Sequence, residues 1–91
     1  MRLKNKEIEI IKKVVAEHIA SAKIYLFGSR VNNDKKGGDI DIYIVSDNSN
    51  YASKIKIKAK LKRLLGKPVD ILMHKDFNRI IEQEALKGIE L

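Results

Sequence analysis

The chain has 91 residues, 44% of them apolar and 34% charged, the balance of a folded domain rather than a disordered or membrane-embedded one. A chain this short supports one domain, residues 1–91, whose single modest core buries roughly 60% of the surface exposed when unfolded. The formal charge is +7 and cysteine is absent, which excludes disulfides, thiolate catalysis and cysteine-based zinc sites.

No apolar run approaches the roughly 20 residues that cross a bilayer. Met1-Arg2-Leu3-Lys4 opens a charged amphipathic segment without a signal peptide's apolar stretch, so a cytoplasmic protein without membrane attachment is expected. In that segment Ile8, Ile11, Val15 and Ile19 recur at helical spacing, Val14 widens the stripe and Asn5 is available as a cap; residues 5–21 read as an amphipathic helix covering one face of a sheet. Lys23 to Phe27 is a short apolar and aromatic run closed by Gly28, a strand signal, and 39–46 is a stronger one. The polar residues Asn32-Asn33-Asp34 and Gly37-Gly38 mark the connection between them.

From 53 to 62 lysine alternates with Ile55, Ile57, Ala59 and Leu61, a period of two that taken alone argues for a strand. The i, i+4, i+7, i+8 stripe of Ile57, Leu61, Leu64 and Leu65, a cap at Asn50 or Ser53, and the stop at Gly66 and Pro68 argue for a helix, which we adopt. Val69 to Met73 is a third strand with Asp70 in its apolar run, and residues 76–88 read as a last helix around Ile80, Ile81 and Leu86. The fold class is α/β (α+β), a small mixed sheet covered by helices in the order α-β-β-α-β-α.

The excess charge has one location. Lys54, Lys56, Lys58, Lys60, Lys62, Arg63 and Lys67 form a block without an acid, and removing these seven leaves twelve bases against twelve acids. Such a block suits a polyanion, an acidic protein partner, or water alone.

The chemistry concentrates elsewhere. Successive strand residues point to opposite faces, so Asp39 and Asp41 share one face and Ile40, Ile42 and Ile44 the other, buried one. Two carboxylates this close repel unless one takes a proton or a divalent cation sits between them. With only His18 and His74 in the chain, oxygen ligands dominate, and they suit Mg²⁺ or Mn²⁺. Gly28 permits a tight turn and close approach of ligand to backbone, and Ser29 offers a hydroxyl and an N–H to a phosphate oxygen. Asp70, between Val69 and Ile71 on a strand expected to be internal, would be costly to bury without a cation or hydrogen bonds. Three acids on two neighbouring strands suit a two-metal site with Asp70 as general base. His18 reads as a packed or half-exposed helix residue, His74 as loop surface, and Tyr25 and Tyr43 as core or strand-face residues.

These residues resemble the minimal nucleotidyltransferase (MNT) family of the DNA polymerase β superfamily. Leu26-Phe27-Gly28-Ser29-Arg30 looks like its hydrophobic-Gly-Ser-Arg signature, Asp39-Ile40-Asp41 like its Asp-x-Asp, and Val69-Asp70-Ile71 like its third-carboxylate strand. The resemblance spans essentially the whole chain and implies the nucleotidyltransferase fold. It implies nucleotide binding by Gly28 and Ser29, with Arg30 assisting, metal binding by Asp39 and Asp41, and a catalytic triad completed by Asp70. Two departures stand in the nucleotide-facing loop: Gly38 where serine often precedes the pair, and Val31-Asn32-Asn33 where Ala-Arg-Gly often follows Gly-Ser-Arg.

The resemblance further implies an antitoxin that transfers AMP from ATP to a tyrosine hydroxyl of a HEPN-domain ribonuclease toxin, with Mg²⁺ or Mn²⁺ as cofactor. So small a catalytic module needs its acceptor from a partner or from a second copy of the chain. Two other readings compete. A non-catalytic antitoxin would neutralise its partner by contact alone, and a basic nucleic-acid-binding protein would use the lysine block with an affinity falling steeply as salt rises; scarce aromatics and the absence of tryptophan weigh against single-strand binding.

Overall fold

In the computed structural model, which describes residues 5–28, 40–47 and 50–91, the apolar stripe of the first segment becomes helix α1 (Asn5–His18), with Ile11, Val14 and Val15 buried. The periodicity predicts a helix to residue 21. It ends at His18 because Ser21 takes a left-handed backbone (φ 57°) that turns the chain, although the Ile19 N–H still reaches the Val15 carbonyl at 2.8 Å.

Strand β1 (Lys23–Phe27) pairs antiparallel with β2 (Ile40–Val45), and β2 pairs parallel with β3 (Val69–Met73). A parallel pair requires a crossover, and the lysine-rich segment supplies it as helix α2 (Tyr51–Leu65). Asn50 caps α2 with its Oδ1 accepting from the Ser53 N–H at 2.8 Å, and Gly66 closes it at φ 68° with its N–H on the Lys62 carbonyl. The period of two in this segment therefore carries no structural weight: Ile57 and Leu61, four apart, are fully buried, whereas Ile55 and Leu64 face outward.

Gly66 has open space where a Cβ would go but a backbone conformation that L side chains rarely adopt. Gly66→Ala is thus a conformational test free of steric clash. It should cost about 1 kcal/mol and lower the Tm by roughly 4–8 °C for a domain of this size, measurable by differential scanning calorimetry.

Two corrections concern the end of the chain. Helix α3 spans only Ile80–Leu86, not 76–88, and a fourth strand, β4 (Ile89–Glu90), follows it and pairs antiparallel with β1. The observed order is α-β-β-α-β-α-β, in a mixed sheet ordered β3-β2-β1-β4. Residues 76–79 stay out of the helix because the Asp76 carboxylate accepts from the Asn78 N–H, and the Lys75 and Asp76 N–H groups point at the Glu82 carboxylate. Strand β4 is reached through Gly88, where a Cβ would run into the Leu26 backbone, so the absence of a side chain allows the return to the sheet.

The sheet separates two faces. Ile24, Leu26, Ile40, Ile42, Ile44, Val69 and Ile71 join Ile11, Val14, Val15 and Ile19 of the first helical segment and Ile57 and Leu61 of α2 in one apolar cluster. The opposite face carries Phe27, Asp41 and Asp70 in one row of the register and Tyr25, Tyr43 and Leu72 in the next. Helix α3 lies against β1 and β2, and Tyr43 is fully buried.

Candidate active site

Two adjacent strands bring two of the predicted carboxylates into register. Asp41 and Asp70 are register partners on the parallel strands β2 and β3, so their side chains leave the same face of the sheet on adjacent strands. Asp41 lies on an interior strand and is half-buried.

Gly28, immediately after β1, has φ 74°, and a Cβ built there would collide with Oδ2 of Asp41 and lie 3.1 Å from its Cγ. The bare glycine is therefore the seat of the Asp41 carboxylate. The close approach expected at Gly28 is that of a ligand; the one observed is by the Asp41 side chain. Ser29, Arg30 and Asp39, the other predicted members of the site, lie outside the described residues.

Asp70 departs from expectation. Strand β3 is the outer strand of the described sheet, not an internal one, and the Asp70 side chain is 61% exposed. The alternation of Val69 and Ile71, both buried, with Asp70 between them reflects one covered face and one open face of an edge strand. No burial penalty argues for a cation at Asp70. Instead Lys58 of α2 places its Nζ 3.7 Å from the Asp70 carboxylate, a contact between residues twelve apart that no local pattern announces. Exposure leaves the Asp70 carboxylate accessible from outside the sheet.

A divalent cation fits the donor set. Asp41 and Asp70 contribute carboxylate oxygens from adjacent strands, and hard oxygen donors are what Mg²⁺ and Mn²⁺ take. Among the described residues no group of three metal-binding side chains is gathered, so Asp39 would have to supply the third.

Next to this row lies a polar network absent from the sequence reading. Glu82 of α3 is fully buried, and its carboxylate accepts five hydrogen bonds: from the Tyr43 hydroxyl (2.7 Å) and His74 Nδ1 (2.6 Å) at Oε1, and from the Lys75 N–H (3.0 Å), the Asp76 N–H (2.9 Å) and Arg79 Nη1 (3.0 Å) at Oε2. Burial taken alone would raise its pKa. The hydrogen bonds from Asp76, Tyr43, His74 and Lys75 outweigh burial and hold Glu82 below the usual carboxylate range. Tyr43 is pushed the other way, above the usual phenol range, by burial and by its bond to the Glu82 carboxylate.

His74 is consequently not loop surface: it is largely enclosed, bonded to Glu82 and stacked on Phe77 with ring centroids 4.0 Å apart. The expected apolar face of the last helix is also reversed. Ile80 and Ile81 are exposed while Glu82 and Ala85 point inward. The i, i+3 spacing of Glu82 and Ala85 was the available signal, but an acid at a core position reads as surface until its donors are known. Tyr43, as expected, is core, and His18 bonds the Val14 carbonyl of its own helix at 3.0 Å.

Comparison with known proteins agrees with this layout. Residues 9–91 match the family described as polymerase beta, nucleotidyltransferase. No curated protein matches the sequence. The fold is shared with a chain of a mutant MntA–HpeT toxin–antitoxin crystal structure (TM-score 0.78, 23% identity, 92% of this chain and 70% of that one). It is also shared with a chain of the complex of tri-AMPylated Shewanella oneidensis HEPN toxin with MNT antitoxin (TM-score 0.74, 20% identity, 94% and 68%). A structure provisionally described as a nucleotidyltransferase aligns over 92% of this chain and 96% of its own (TM-score 0.64, 28% identity). Among the described residues no helix is long and apolar enough to cross a membrane.

Proposed function

We propose, from the premise that this chain belongs to the polymerase β nucleotidyltransferase family, that it is an Mg²⁺-dependent antitoxin transferring AMP from ATP to a tyrosine hydroxyl of a HEPN-domain toxin. The observation that carries the reading is the register pairing of Asp41 with Asp70 beside the bare backbone of Gly28. The partner and the AMP group are suggested by the complexes whose fold the chain shares, one of which holds an AMPylated HEPN toxin.

Asp39, Asp41 and Asp70 would hold the ion, which when bound neutralises charge on the phosphates and aligns the leaving group. Gly28 and Ser29, with Arg30, would bind the triphosphate through backbone N–H groups, the serine hydroxyl and the guanidinium. Asp70 would accept the acceptor's proton. The hydroxyl oxygen forms a bond to the α-phosphorus, the bond from that phosphorus to the bridging oxygen breaks, pyrophosphate departs with the electron pair, and the proton passes to the Asp70 carboxylate. An edge-strand base at 61% exposure suits an acceptor hydroxyl carried on another protein, which has to approach from outside the sheet.

The test is incubation with α-labelled ATP and Mg²⁺, with and without a HEPN protein encoded beside this one, comparing the wild type with Asp39→Asn/Asp41→Asn. Label on the partner with the wild type alone is the expected result. A tight complex without label from either protein would replace transfer by neutralisation through contact.

A further inference from the structure

At the other end of β3 from Asp70, a crevice of about 350 Å³ opens between the first turn of α2, the end of the strand and the segment leading to α3. Leu72 and Met73 give it an apolar floor, and Lys54, Lys75 and Arg79 line it with three cations. No carboxylate is among its lining residues. Neither the Lys54 nor the Lys75 ammonium has a hydrogen bond or ion pair among the described residues.

The remaining polar wall is held from behind. Arg79 gives Nη1 to Glu82 at 3.0 Å and His74 gives Nδ1 at 2.6 Å, which fixes both side chains. A guanidinium carries five N–H donors, so most of the Arg79 fork is left for a ligand. Glu82 itself, already accepting five bonds, is fully buried behind them. Tyr51, 73% exposed, borders the crevice with an aromatic ring.

We propose that this crevice binds a phosphomonoester of nucleotide size, its phosphate between Lys54, Lys75 and Arg79 and its base against the Tyr51 ring. Ammonium and guanidinium groups around one opening recognise phosphate by charge and by forked hydrogen bonds, and an exposed aromatic ring stacks on a base without requiring its identity. The site is separate from the carboxylates. His74 is four residues beyond Asp70 along an extended strand, about 13 Å at roughly 3.3 Å per residue. Binding in this crevice does not require the transfer reaction.

A free mononucleotide and the 5′-phosphorylated end of an oligoribonucleotide present the same group, and the experiment separates them. The ¹⁵N-labelled chain is titrated by NMR with AMP, adenosine, and a tetraribonucleotide with or without a 5′-phosphate. EDTA is present throughout, so that binding which requires a metal at the carboxylates is suppressed. Saturable shifts at Tyr51, Lys54, His74 and Lys75 with AMP but not adenosine are expected, and at least tenfold weaker binding in Lys54→Ala/Lys75→Ala. Lys56→Ala/Lys62→Ala, which removes two lysines that do not line the crevice, should bind as the wild type does. Tighter binding of the phosphorylated tetranucleotide than of AMP would assign the site to an RNA end. Shifts confined to Gly28 and Asp41, equal binding of adenosine, or no saturation by about 10 mM of either phosphorylated probe would overturn the proposal, whatever the labelling experiment shows.

Discussion

Asp41→Asn should reduce nucleotidyl transfer on the order of 10³-fold, the equivalent of about 4 kcal/mol of transition-state stabilisation, while leaving the fold intact. Of the two described carboxylates of the candidate site, Asp41 has the more constrained position. It stands on an interior strand between Phe27 and Asp70 in the register, with Gly28 beneath its oxygens. Asparagine keeps the shape and loses the charge that attracts a cation. Gly28→Ala attacks the same carboxylate sterically: the new methyl would meet Oδ2, at a φ of 74° that alanine itself resists. Both variants should weaken Mn²⁺ binding followed by electron paramagnetic resonance, a readout independent of turnover. Alanine at Gly28 should also lower the Tm, by more than asparagine at 41 does. Transfer at the wild-type rate by Asp41→Asn would remove the carboxylate pair from the mechanism.

The parts of this site that were legible in the sequence are those governed by strand alternation. Ile40, Ile42 and Ile44 are all fully buried, and Asp41 lies on the other face. The caps of α2 were legible because Asn50 and Gly66 each act through a local hydrogen bond or dihedral. Whatever depended on which strand stands at an edge was not. The character of Asp70 changed from a buried acid needing compensation to an exposed one beside Lys58 only when β3 became the outer strand.

The lysine block changed in the same way. Lys58 faces Asp70, Lys60 bonds Glu17 at 2.8 Å and Lys67 bonds Glu7 at 3.1 Å, so three of the seven charges are engaged within the chain. Glu17 is held below the usual carboxylate range chiefly by its hydrogen bond to Lys60. Pairs between solvent-facing side chains, such as Lys58–Asp70 and Lys60–Glu17, add little to stability, and the consequence of all three lies in what remains for a partner. Charge reversal at Lys58 or Lys60 would break an internal contact as well as an external one. Lys56 and Lys62, which make no such pair among the described residues, are the cleaner positions for testing a polyanion or an acidic surface.

Removing the Glu82 carboxylate should be the most destabilising single change in the described core. Glu82→Leu leaves the Tyr43 hydroxyl, His74, Arg79 and two backbone N–H groups facing an apolar side chain. Losing one partner of a buried charged network costs about 3–5 kcal/mol, a large share of the ~5–13 kcal/mol available to a domain of this length. Glu82→Gln is no remedy. Its amide offers one acceptor oxygen where five donors converge, and its NH₂ group points more donors at them. Tyr43→Phe, by contrast, deletes one donor and leaves the carboxylate four, so a loss of about 1.5–3 kcal/mol is expected for a bond to a charged group.

Urea titrations at several pH values give an independent check. Glu82 is lowered in the folded protein from an ordinary value of 4.5, so the folded state binds fewer protons there than the unfolded one. Its contribution is complete above pH 4.5 and is lost as the pH falls below that value toward its folded pKa. Tyr43 is raised from 10.0, so its contribution is complete below pH 10 and declines as the pH rises beyond it. The wild type should therefore lose stability at both extremes. Tyr43→Phe should retain most of the acid limb and flatten the alkaline one, because the carboxylate keeps four of its donors and the phenol is gone. An unchanged alkaline limb in Tyr43→Phe would show that other groups govern it.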